Sequence, residues 1–259
     1  MILSGRTILI TGGSAGVDLA FALKFVELGN TVIVTGRHES VLDEVKKRHP
    51  KLHTIQSDVA DPAQIATLAT RVKIEFPKLD VLMNNAGIML HRNLTAPTAD
   101  LAGLMTEMNV NLGGVVIMTS AFIDILRANK GTVINTSSAL AFVPLPSAPI
   151  YSATKAAIHS YTQSLRFQLE ETGVEVIELM PPAVKTDLAV DIAEGGGITL
   201  MTTEEWSSNP LRPSRRVSSR SVQGRQNCSH SCAASPPVSS TGSSGRPLRS
   251  WCRLWSDRS

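Results

Sequence analysis

"TGGSAGVD", Thr11 to Asp18, is the stretch on which the reading of this chain turns. It follows a short apolar run, "RTILI", and opens into "LAFALKFVELG", so a strand leads through a glycine-rich turn into a helix. Gly12 and Gly16 are intact in that turn, and the backbone N–H groups near Ser14, Gly16 and Val17 would face a ligand at the positive end of the helix. This is how a chain cradles phosphate. Asp18 stands where a third glycine would allow close packing of helix on strand. Its charge would lie near a bound pyrophosphate, and repulsion there exceeds the ~0.3–1 kcal/mol that an acid contributes in a first helical turn. Dinucleotide binding is expected to be weakened, not abolished.

Outward from this turn the same alternation repeats. Strands are expected at 7–11, 31–35, 53–57, 80–84, 131–136 and 174–179, with helices at about 17–29, 39–48, 62–75, 98–128 and 152–172. The strand runs are short and almost continuously apolar, as in parallel strands covered on both faces. The fold class is therefore α/β, a Rossmann-like doubly wound parallel β-sheet. No convincing seventh strand follows Trp206, so the C-terminal end is expected to be atypical or incomplete.

The 259 residues, 42% hydrophobic and 18% charged, suit one α/β domain with a large core. The net charge of +3 hides an asymmetry. From Ser207 onward there are nine arginines, no lysine and one acid, Asp257, which gives +8 and leaves −5 for the rest. That segment also holds sixteen serines in 53 residues and shows no periodicity. The expected division is a dinucleotide-binding catalytic domain over 1–206 and a disordered Ser/Arg-rich tail over 207–259. Two readings of the tail stand side by side, a flexible extension and the product of a shifted reading frame. Its basic character does not resemble a folded nucleic-acid module, so nucleic acid is not the expected partner. "CSHSC" is read as chance composition and no metal is expected; all three cysteines (Cys228, Cys232, Cys252) lie in this tail. A disulfide-free body, no readable signal peptide and no uninterrupted apolar run of about 18 residues point to a cytoplasmic protein without a membrane span.

"YSATK" places Tyr151 and Lys155 four residues apart, on one face of a helix. A nearby ammonium favours phenolate and is expected to lower the tyrosine pKa toward working pH, which suits a proton donor to a ketone. Ser138 ends the strand "GTVINTSS", where a parallel sheet presents reactive groups, and its hydroxyl can bind a substrate oxygen.

With "TGGSAG" (11–16), "SDV" (57–59), "NNAG" (84–87), "NVNLGG" (109–114), Ser138, Tyr151-x-x-x-Lys155 and "PPAVKT" (181–186) in order, the chain resembles the short-chain dehydrogenase/reductase family over about residues 5–190. The resemblance implies that Tyr151 is the acid/base and that Lys155 lowers its pKa and holds the nicotinamide ribose. It further implies that Ser138 polarises the carbonyl and that Asn111, rather than Asn109, helps hold a water in the proton relay. Asp58 would accept from the adenine amino group, Asn85 would line the cofactor cleft, and Val184 and Thr186 would meet the nicotinamide carboxamide.

At the end of the second strand, "VTGR" offers Gly36 and Arg37 where an NAD enzyme usually presents an acid to the ribose. A guanidinium can grip a 2′-phosphate, so NADP(H) is the preferred cofactor, with NAD(H) as the lesser candidate. The expected activity is interconversion of a carbonyl and an alcohol on a small, hydrophobic molecule by a homodimer or homotetramer. The competing expectation, raised by Asp18 and the tail, is a catalytically impaired relative acting as a non-enzymatic binding protein.

Overall fold

In the computed structural model, residues 4–93, 95, 101 and 103–181 are described. The chain divides into two units, Met1–Ser214 and Arg215–Ser259, and every described residue lies in the first. The expected boundary at residue 206, the tail, and the place of a seventh strand fall outside the described residues.

Strands β1 (Thr7–Thr11), β2 (Thr31–Gly36), β3 (His53–Gln56), β4 (Val81–Asn84), β5 (Thr132–Thr136) and β6 (Glu175–Leu179) form one parallel sheet in the order β3-β2-β1-β4-β5-β6. Register is set by Thr7 opposite Thr31, Ile8 opposite Val81, Val81 opposite Thr132 and Thr132 opposite Glu175. The strand order reverses between β1 and β4, and the crevice beyond their C-terminal ends is where such sheets bind ligands.

Side chains alternate through the sheet and build a core on each face. Leu9, Ile33, Leu82 and Val133 meet α3 (Pro62–Glu75), α4 (Gly114–Ala128) and α5 (Pro149–Leu169) through residues such as Leu68, Phe122 and Leu165. Ile8, Ile10, Val32 and Val34 meet Phe21 and Phe25 of α1 (Gly16–Glu27) and Leu42 and Val45 of α2 (Glu39–Arg48). The strand runs are buried because both faces are covered, which is why they read as almost unbroken apolar text.

Two helices differ from expectation. α5 begins at Pro149 because proline suits a first turn, where its missing N–H costs nothing. The helix expected over 98–128 is not continuous among the described residues. A 3₁₀ turn (Gly103–Met105) and a π-helical turn (Met108–Gly113) precede α4. Gly114 then packs at backbone contact, since a Cβ there would lie 2.9 Å from the Val59 carbonyl oxygen. Gly103–Ala128 is long enough to cross a membrane and holds an 18-residue window of mean hydropathy 1.5, which a count of uninterrupted apolar residues overlooks. Val110, Met118, Phe122 and Leu126 within it are buried in the core against β4 and β5.

Candidate active site

The turn after β1 lies against β2 and the end of β4. Gly12 has φ +77° and donates its N–H to the Thr35 carbonyl at 3.0 Å, while a Cβ on it would meet the Ala86 Cα at 2.9 Å. Only glycine fits there. The Thr11 hydroxyl accepts the N–H groups of Asn85 and Ala86, both at 3.0 Å, and so ties β1 to the segment after β4. Gly16 opens α1 at φ +56°, and nothing lies within 4 Å of where its Cβ would sit. Ser14 lies against Gly36, where a Cβ would be 3.0 Å from the Ser14 hydroxyl. Arg37 next to it is exposed and makes no ion pair with any described residue. Asp58, after β3, accepts the Ala60 N–H at 2.9 Å and thereby shapes its own turn. Val17 is helical, and Val184 and Thr186 lie outside the described residues.

Across the crevice, α5 carries Tyr151 (8% exposed) and Lys155 (4% exposed) one helical turn apart. The Ser138 hydroxyl lies near enough to Tyr151 to lower its pKa, and the Lys155 ammonium sits 5.4 Å from the tyrosine ring centre. Lys155 donates to the Thr136 carbonyl at 2.8 Å, which fixes it beneath the end of β5. Ser138 also accepts the Leu140 N–H at 3.2 Å, so its hydroxyl caps the short turn that follows.

The electrostatics of this cleft reverse one expectation. Burial pushes the Tyr151 hydroxyl up to about 12, against the nearby Ser138 hydroxyl and with help from the carboxylates of Glu107 and Asp18. The expected lowering by Lys155 is not what the cleft produces. Burial also pulls Lys155 itself down to about 8, against the opposing pull of Asp18. Loss of water outweighs the ammonium.

Asp18 belongs to the same electrostatic cluster. Burial raises its carboxyl to about 7, against a hydrogen bond to Asn85 and the charge of Lys155. Asn85 in turn accepts the Thr136 hydroxyl at 2.8 Å. The acid in the phosphate turn therefore faces the groups that line the crevice from β4, β5 and α5.

Asn111 is wholly buried in the π turn, whereas Asn109 is exposed. The Asn111 amide accepts the Ile88 N–H and donates to the Ile88 carbonyl, both at 2.8 Å, and donates to the Thr154 hydroxyl at 3.2 Å. Those bonds commit its side chain to holding the segment after β4. One turn earlier, Glu107 accepts the Leu90 N–H at 3.0 Å, its second carboxylate oxygen has no hydrogen-bond partner among the described residues, and burial raises its pKa. Sequence reading passed over Glu107, although it precedes Asn111 by four residues on the same helical face.

A glycine-walled turn at the switch point, with Ser138, Tyr151 and Lys155 facing it, defines a class of protein: a Rossmann-like oxidoreductase. The chain belongs to the short chain dehydrogenase family, which matches residues 6–196. It is 40% identical over 209 residues to the oxidoreductase DltE of Bacillus subtilis (strain 168), covering 80% of this chain and 83% of that one. Among solved structures, it is similar to a short chain dehydrogenase from Burkholderia cenocepacia J2315 in complex with NADP. That likeness has a TM-score of 0.70 at 28% identity, over 80% of this chain and 83% of the other. A short chain dehydrogenase/reductase from Burkholderia phymatum in complex with NAD matches with a TM-score of 0.66 at 28% identity, over 73% and 69% of the two chains.

Proposed function

We propose that this protein is an NADP(H)-dependent oxidoreductase that interconverts a carbonyl and an alcohol on a small, hydrophobic substrate. The observation that carries this reading is the buried Tyr151 with the Lys155 ammonium 5.4 Å from its ring centre, on the helix that faces the crevice beside Ser138. The residues present fit a nicotinamide dinucleotide: Gly12 lets the backbone run close to Ala86, and Gly16 leaves bare backbone at the start of α1. Gly12, Ser14, Gly16 and Val17 would hold the pyrophosphate, Arg37 the 2′-phosphate and Asp58 the adenine. Asn85, Tyr151, Lys155, Val184 and Thr186 would hold the nicotinamide end. When bound, the nicotinamide supplies or accepts the hydride.

Ser138 donates a hydrogen bond to the substrate oxygen, and Tyr151 gives that oxygen its proton as the carbonyl carbon is reduced. With its pKa near 12, Tyr151 is a protonated phenol at any working pH, which is the form a reduction needs. Asn111 holds the floor of the site through Ile88 and Thr154. Association of copies through α4 and α5 goes with this reading, since Val116 and Phe167 stand exposed on those helices. The cytoplasmic setting rests on the sequence alone.

Two measurements test the proposal. Purified protein screened against aldehydes and ketones should consume NADPH, and a panel without any turnover sinks the enzyme reading. Arg37→Ala should weaken NADPH about tenfold and leave NADH unchanged, because an exposed guanidinium gripping phosphate contributes roughly 1.5 kcal/mol. Equal loss for both nucleotides removes Arg37 from the 2′-phosphate.

One observation favours the second reading, a catalytically impaired binding protein: the Asp18 carboxyl shares the crevice with Asn85 and Lys155. Turnover in Asp18→Gly but not in the natural sequence would decide for it.

A further inference from the structure

Below Lys155, the same face of α5 carries His159 four residues on, with Lys155 four residues after Tyr151. His159 reaches Glu178 of β6, its Nδ1 lying 3.0 and 2.9 Å from the two carboxylate oxygens. A carboxylate has no proton to give, so Nδ1 carries it and donates. The Glu178 side chain is 4% exposed, and its Oε1 also accepts the Ser137 hydroxyl at 2.6 Å. Ser137 is the residue immediately before Ser138, and its N–H donates to the Leu179 carbonyl at 2.9 Å. On the far side of Ser138, the Phe142 ring meets the His159 ring edge-on, with centroids 4.7 Å apart.

We propose that His159 and Glu178 are positioning residues, which grip the segment bearing Ser138 at both ends: through the Ser137 hydroxyl before it and the Phe142 ring after it. The segment between these grips is a single short turn held by the Ser138 cap and by hydrogen bonds from Ala141 to Ser138 and from Phe142 to Ala139. A turn so short sets the Ser138 hydroxyl only as firmly as its ends are held. A buried carboxylate with two donors is a strong anchor, because charge-assisted hydrogen bonds are short and directional. The contacts of His159 and Glu178 run to Ser137 and Phe142, on either side of Ser138, so they act through Ser138. The catalytic part of this inference rests on the proposed role of Ser138, whereas the grip itself does not.

Amide hydrogen exchange of the full chain tests the grip without requiring turnover. In His159→Leu, exchange over residues 139–143 should quicken about tenfold while β4 exchanges as before, the size expected for losing one charge-assisted bond. His159→Gln keeps a donor to Glu178 and should restore most of the protection. Glu178→Gln, of the same shape, gives an independent measurement if the leucine variant does not fold. Steady-state kinetics should then show kcat about tenfold lower for the leucine variant, with the NADPH dissociation constant unchanged. Unchanged exchange over 139–143, or equal quickening across the whole sheet, overturns the proposal. Altered exchange with undiminished kcat removes the positioning role. If the natural protein turns over nothing, the reductase reading fails, and the exchange result alone decides the grip.

Discussion

Replacing Asp18 with glycine is expected to tighten NADPH binding in a fluorescence titration by about twofold at neutral pH, where half the carboxyl is already protonated, rising toward a hundredfold about two pH units higher. At ~5 Å and an effective dielectric of ~20, one carboxylate repels each phosphate charge by about 3 kcal/mol, and solvent screening brings this toward two decades in Kd. Opposing this, glycine in a first helical turn costs less than about 1 kcal/mol in folding. That lowers the midpoint of unfolding slightly without touching affinity. The pH dependence is the sharper signature. With its carboxyl raised to about 7, Asp18 is largely neutral below that pH and charged above it. Repulsion therefore grows as pH rises through 7, and the affinity of the natural protein should fall over that interval. The glycine variant should lack this limb. A second decline, above about 8, reflects loss of the Lys155 proton and should persist in both proteins. Titrating NADH alongside separates these limbs from ionisation of the 2′-phosphate itself, whose second pKa is near ~6. Equal affinity of the two proteins at every pH would show that the acid swings clear of the nucleotide.

Tyr151→Phe should lower kcat for carbonyl reduction about a thousandfold and change the NADPH dissociation constant less than about threefold. Positioned proton donors contribute roughly 10²–10⁴ in rate, and phenylalanine keeps the ring while removing only the donor. The direction of catalysis adds a check. A phenol near 12 is ready to give a proton, but alcohol oxidation needs the phenolate, which burial disfavours. In the natural protein, reduction should stay flat in pH where oxidation climbs with it, and the phenylalanine variant should lose that climb. Retained turnover at the natural rate would take the proton step away from Tyr151.

How much of this was readable beforehand depends on the range of the interaction. Strands such as Thr7–Thr11 were legible because burial on both faces writes an unbroken apolar run. The Tyr151–Lys155 pair was legible because four residues make one helical turn. Asn111 could be preferred to Asn109 from its neighbours, but its clasp on Ile88, 23 residues away, left no local mark. The tyrosine pKa was read with the wrong sign because spacing reports the ammonium and not the loss of water, which dominates. Asp18 was recognised as foreign to its turn, yet its proximity to Lys155 depends on the strand order reversing between β1 and β4. His159 repeats the four-residue spacing of the catalytic pair, and that periodicity was the one available hint. Glu178 and Ser137, 41 residues apart, gave none.

The wide turn at Met108–Gly113 has a bearing on the chain's tolerance of insertion and deletion. A π turn holds one residue more than the α-helix around it. Deleting a residue there could be absorbed by rewinding, with α4 left in its groove against Val59. Residues upstream would then keep their phase, and Glu107 would stay opposite the Leu90 N–H. The same deletion inside α4 would instead turn everything upstream by about 100° about the helix axis, and the segment after β4 would lose that tether.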